Sequence, residues 1–127
     1  MQRLSLLLVV GTLTPLLGGQ TASALPPFNK EWIGKYVTDN PDANFVAAAG
    51  IAKCNVCHKG TSKKDHNEYG LALKKFITKK GYDAVKGNPA MALKYITDGL
   101  AAGEAEKNSA GKAFGELIKE GKLPGEP

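Results

Sequence analysis

The sequence predicts an all-α fold of about five short helices. Three observations carry the prediction. Apolar residues recur at helical spacing in several separate segments, capping residues and glycine stops bracket most of them, and no stretch alternates with period two long enough to argue for a sheet.

Trp32, Ile33, Tyr36 and Val37 share one face of a first helix, which ends before Thr38-Asp39-Asn40-Pro41 because a proline holds its predecessor in extended geometry. A second helix opens at Pro41-Asp42 and runs through Phe45, Val46 and Ala49 toward Lys53. In the third, Asp65 with Glu68 three residues on forms a start like a capping box. Tyr69, Ala72, Leu73, Phe76 and Ile77 keep the i, i+3, i+4, i+7, i+8 spacing, and Gly81 fits the stop. The fourth begins with Asn88 as cap and Pro89 at its first position, and Leu93, Ile96 and Leu100 share a face until Gly99 and Gly103 are expected to end it. The fifth carries Ala110, Ala113, Phe114, Leu117 and Ile118 on one stripe, with Gly121 as stop and Leu123 placed to fold back as a hydrophobic clasp.

The 127 residues, 43% hydrophobic and 23% charged with 7 Pro, 15 Gly and 2 Cys, exclude a disordered chain, a collagen and a disulfide scaffold. The N-terminal segment differs from the Lys-rich remainder. Met1-Gln2-Arg3 is a short basic start, Leu4 to Leu17 is mostly apolar, and Ala22-Ser23-Ala24 is a small-residue cleavage pattern. Residues 1–24 therefore read as a secretory signal peptide, cleaved after Ala24, and residues 25–127 as a single domain that is periplasmic or secreted. The apolar run is shorter than the roughly 20 residues a membrane span needs and is interrupted by Thr12, Thr14 and Pro15, so no stable membrane insertion is expected.

Both cysteines fall in one segment, Cys54-Asn55-Val56-Cys57-His58, the attachment signature of a c-type haem. Two thiols separated by two residues lie on one side of a helical turn, where each can add across one of two vinyl groups. The next residue then offers a neutral imidazole to the iron. Three other readings compete. A thioredoxin-like dithiol needs a βαβ setting that this pattern lacks. A disulfide across so short a loop adds little stability. A zinc site would have to recruit His66 and close a tetrahedron around the adjacent Cys57 and His58.

On this motif the chain resembles the small single-haem c-type cytochromes. The resemblance implies about five helices packed around one covalent haem, with Cys54 and Cys57 as attachment residues and His58 as an iron ligand. It also implies a helix leading into the motif packed against the C-terminal helix, parts that Phe45 to Lys53 and Ala110 to Glu120 fit. The function so implied is electron transfer with redox proteins as partners, and not enzymatic turnover. The chain departs from the family pattern in having no proline between His58 and Pro89 to orient the imidazole through its carbonyl.

Met91 is the sole methionine left after signal removal and is the candidate sixth ligand, which would raise the potential. It departs from the family by standing in a first helical turn, where a gap-filling methionine is the plain alternative. His66, eight residues beyond His58, is the rival. An open sixth position would move the function to binding or sensing of a small ligand, and peroxide reduction would need His66 as distal acid and base.

The formal net charge is +5, and Lys53 to Lys86 hold nine lysines against Asp65, Glu68 and Asp83. That field suits an acidic docking surface on a redox partner, although lysines opposite an apolar stripe also serve simply as a solvated face. Export argues against nucleic acid. Trp32, Phe45, Tyr69, Phe76 and Phe114 are expected in the core or as haem-pocket walls.

Overall fold

The structure is a computed structural model that describes residues 26–125. Among these described residues six α-helices follow in order: α1 (Pro26–Tyr36), α2 (Ala43–Ala52), α3 (Glu68–Leu73), α4 (Lys79–Val85), α5 (Pro89–Ala105) and α6 (Phe114–Lys119). A 3-10 turn, Lys53–Val56, separates α2 from α3. Two isolated bridges, His58 with His66 and Lys107 with Ala113, are the whole β content among the described residues. The all-α expectation holds, with one helix more than anticipated. The expected signal peptide and its cleavage point lie outside the described residues. No helix among the described residues is long and apolar enough to cross a membrane.

Local chemistry explains several boundaries. The Asp42 carboxylate accepts hydrogen bonds from the backbone N–H groups of Asn44 and Phe45 at 2.9 and 3.1 Å, starting α2. Asn88 caps α5 with Pro89 next, as expected. At the end of α6, Gly121 sits at φ 72° and donates to the Ile118 carbonyl, while Lys122 donates to the Leu117 carbonyl. This is the Schellman pattern, and Leu123 folds back into the core at 3% exposure.

Other boundaries differ from the expectation. Asn67, not Asp65, caps α3, and the helix ends at Leu73, leaving Phe76 and Ile77 in the following turn. The Thr78 hydroxyl accepts from the Gly81 N–H and starts a separate α4, so Gly81 opens a helix where it was expected to close one. Nor do Gly99 and Gly103 end α5, which runs on to Ala105. Their missing side chains make room: a Cβ on Gly99 would lie 2.3 Å from Ile77 Cγ1, and one on Gly103 would lie 2.5 Å from Leu73 Cδ2. The stripe from Ala110 becomes helical only at Phe114, because Asn108 to Lys112 form a turn through Gly111 at φ 80°.

The core gathers α1, α2, α3, α5 and α6. Phe45, Tyr69 and Phe114 are fully buried, Trp32 is nearly so, and Phe76 packs against them at the edge. The Tyr69 and Phe114 rings stand 5.2 Å apart, and Trp32 Nε1 donates to the Tyr69 hydroxyl at 3.1 Å, so the polar ends of these large side chains are satisfied. Across the α1–α5 contact the Tyr36 hydroxyl donates to Glu104 at 2.7 Å, and Lys35 pairs with the same carboxylate. Burial alone would raise the Glu104 pKa, but the hydrogen bonds from Lys35 and Tyr36 outweigh it and hold the group below the ordinary carboxylate range.

A depressed carboxylate contributes stability above its unfolded pKa and loses it as pH falls through the folded value. Glu104→Gln is therefore expected to lower the melting temperature at neutral pH, with the gap from the parent narrowing as pH falls below the ordinary carboxyl range and closing once pH is below the depressed value of Glu104. A second pair of variants separates the two uses of helical glycine. Gly34 in α1 has nothing within 4 Å of a built Cβ, so Gly34→Ala should stabilise by about 0.5–1 kcal/mol. Gly99→Ala should destabilise by about 1–2 kcal/mol in denaturant melts, because the branched Ile77 has little freedom to withdraw.

Candidate functional site

The site begins at a kink. Lys53 has φ 49° and ψ −116°, a region sparsely populated by residues with a side chain, and it breaks the axis of α2 just before Cys54. The 3-10 turn that follows is closed by the Cys57 and His58 N–H groups, which both donate to the Cys54 carbonyl, at 3.2 and 3.0 Å. In this compact turn Cys54, Cys57 and His58 all line one cavity of about 320 Å³. Trp32, Val56, Leu73, Ile77 and Leu100 supply apolar wall, and Lys53, Lys63, Lys74 and Lys79 also border the cavity. Its size lies within the roughly 300–1,000 Å³ typical of ligand and cofactor clefts.

Both thiols are free and half-buried. Burial, reinforced by the neighbouring Cys54, pushes the Cys57 thiol up to about 12. A thioredoxin-like role needs a βαβ setting, and the described residues contain no strand. No group of three or more His, Cys, Asp or Glu side chains among the described residues converges as a metal site, which leaves the zinc reading without a ligand set. Thiols and imidazole on one apolar cleft are instead a donor set that fits a tethered porphyrin.

His58 is oriented by the backbone. Its Nδ1 lies 3.2 Å from the Asp65 carbonyl, which can only accept, so Nδ1 carries the proton and Nε2 keeps its lone pair. Burial lowers the His58 pKa, the Asp65 carbonyl opposes part of that effect, and the charges of His66 and Lys63 lower it further. The ring therefore favours the neutral form that binds a metal. The Asp65 carbonyl does the orienting work for which the sequence offered no proline.

His66 lines the same cavity, but on the same side as His58. The two residues form a backbone bridge, their ring centroids are 4.6 Å apart, and His66 Nδ1 is engaged with the Lys64 carbonyl at 3.0 Å. His66 thus stands beside His58 and does not face it across the cavity. Met91 is not brought to the site either: it is 54% exposed in the first turn of α5 and does not line the cavity.

Two functional positions escaped the sequence reading. A Cβ on Gly70 would lie 2.0 Å from the Cys57 carbonyl oxygen and 3.1 Å from the His66 ring, so α3 can rest on the motif only with glycine there. Asn67 is buried between the two. Its signal was an Asn immediately ahead of Glu68, overshadowed by the Asp65 and Glu68 spacing. Compared with protein-family models, curated proteins and solved structures, the chain matches none.

Gly70→Ala must push α3 off the Cys57 carbonyl. It is expected to destabilise by about 1–3 kcal/mol in denaturant melts, outweighing the gain in helix propensity.

Proposed function

We propose that this chain is an exported c-type cytochrome that transfers electrons through one covalently attached haem. Cys54 and Cys57 would hold the haem, and His58 would bind its iron. One observation carries the reading: two free thiols and an imidazole with its Nδ1 committed to the Asp65 carbonyl line the same apolar cavity. When bound, the haem supplies a one-electron ferric–ferrous couple. The chain's own residues tether it, offer the His58 Nε2 lone pair, and exclude water with Trp32, Leu73, Ile77 and Leu100, which sets the potential.

The signal sequence of residues 1–24 would deliver the protein to the periplasm or the exterior. Lys53, Lys63 and Lys74 border the cavity without a salt-bridge partner among the described residues, which suits docking of an acidic redox protein at the exposed ring edge.

For Met91 to serve as the sixth ligand, the first turn of α5 would have to move toward the cavity. Its exposure outside the cavity favours a second reading, a haem module with an open sixth position that binds a small ligand.

Expressed with haem-attachment machinery, the chain should run as a coloured band that survives denaturing electrophoresis, and Cys54→Ala with Cys57→Ala should abolish the colour. A colourless wild type would sink the haem reading. In the oxidised holoprotein, a near-infrared sulfur-to-iron band that Met91→Ala removes would establish Met91 as ligand. Binding of carbon monoxide by the reduced wild type would establish the open position instead.

A further inference from the structure

Asn67 is the buried polar side chain among the described residues, at 5% exposure, and both ends of its amide are occupied. Nδ2 donates to the carbonyls of Asn55 and Val56 at 3.1 and 3.0 Å, and Oδ1 accepts from the Gly70 N–H at 2.9 Å. Its backbone N–H donates to the carbonyl of Cys57 at 3.1 Å. One residue thus grips three successive carbonyls, 55, 56 and 57, while the carbonyl of Cys54 closes the turn internally. No carbonyl between the first thiol and the imidazole is left without a donor.

The tail completes the arrangement. Leu123 and Pro124 are buried, and the next residue, Gly125, crosses the Asn67 amide so closely that a Cβ would lie 2.0 Å from Nδ2 and 2.3 Å from the Val56 oxygen. Two residues before Asn67, the Asp65 carbonyl accepts from both His58 Nδ1 and the Lys59 N–H, at 3.2 and 3.0 Å. Fixing Asn67 against the turn therefore fixes the carbonyl that aims the imidazole.

We propose that Asn67 is a positioning residue for His58: its amide, held under Gly125, clamps the Cys54–Cys57 turn and thereby sets the orientation of the His58 ring. Asparagine suits the task because it joins two N–H donors to an acceptor, whereas aspartate would keep the cap on α3 and set a carboxylate against two carbonyls. The effect on iron rests on the reading of His58 as its ligand, while the clamp itself is a property of the chain.

The test uses the wild-type chain, Asn67→Asp, Gly125→Ala and, as a control for general destabilisation, Asn88→Ala, which removes the cap of α5. Hydrogen exchange is followed by NMR at the His58 Nδ1 proton and the Lys59 amide, together with the midpoint potential of the haem-loaded protein. Asn67→Asp should speed both exchanges by roughly tenfold, the equivalent of about one hydrogen bond, and shift the potential. Gly125→Ala should act in the same direction without altering a polar group, so it decides the matter if Asn67→Asp fails to fold. Asn88→Ala should lower only the melting temperature.

Wild-type exchange and potential in both Asn67→Asp and Gly125→Ala would overturn the proposal. So would an equal acceleration in Asn88→Ala. A wild type that carries no covalent haem would defeat the haem reading alone, because the two exchange rates still decide the clamp in the unloaded chain.

Discussion

The constraint on which the candidate site depends is the seating of α3 on the backbone of the Cys54–Cys57 turn. Only a residue without a Cβ fits at position 70, because the Cys57 carbonyl occupies that space. From this seating the neighbouring geometry follows. Asn67 reaches the turn's carbonyls, Asp65 presents its own to His58, and Tyr69 on the same short helix enters the core against Phe114 and receives the Trp32 hydrogen bond. Leu73, one turn further, meets the bare surface of α5 at Gly103. The candidate site is thus not a loop laid over a finished core. It shares α3 with it.

Sharing has an energetic consequence. Trp32, Leu73, Ile77 and Leu100 border the cavity and also belong to the core cluster. A group that binds there would add apolar contact to side chains that already hold the helices together, so occupancy and fold stability are linked. The kink at Lys53 belongs to the same economy: a backbone conformation costing on the order of 1–3 kcal/mol is held by the packing on either side, and it frees the turn from the axis of α2.

Charge is organised on a different scale from packing. The ion pairs of α4 and α5, such as Lys79 with Asp83 and Lys94 with Asp98, are exposed and contribute little to stability. Lys35 with Glu104 differs because the Tyr36 hydroxyl shares the carboxylate and the pair spans two helices. The field of the lysines beside the cavity falls off over about 10 Å at moderate salt and so bears little on the fold.

Some of this architecture was legible in the amino-acid order because its causes are local. Asp42, Asn88 with Pro89, and Gly121 with Leu123 act within about one turn of themselves, and the helix boundaries they mark are where the sequence places them. The spacing of Cys54, Cys57 and His58 is equally local, and the proposed haem attachment starts from it. What the sequence left open depends on partners distant in the chain. Gly81, Gly99 and Gly103 look like stops until Tyr95, Ile77 and Leu73 are seen to fill the space beside them. The orienting carbonyl of Asp65 has no side-chain signature, since any residue carries one, and the burial of Asn67 depends on the tail that crosses it. The exposure of Met91 follows from the way α5 packs through Ala92, Ile96, Gly99 and Leu100, a face on which Met91 does not lie. By itself, then, the sequence determined the helical class, the principal caps and the spacing of the Cys54, Cys57 and His58 trio. Tertiary structure decided which backbone atoms hold that trio in place, because close approach between distant segments is a property of packing that no local pattern encodes.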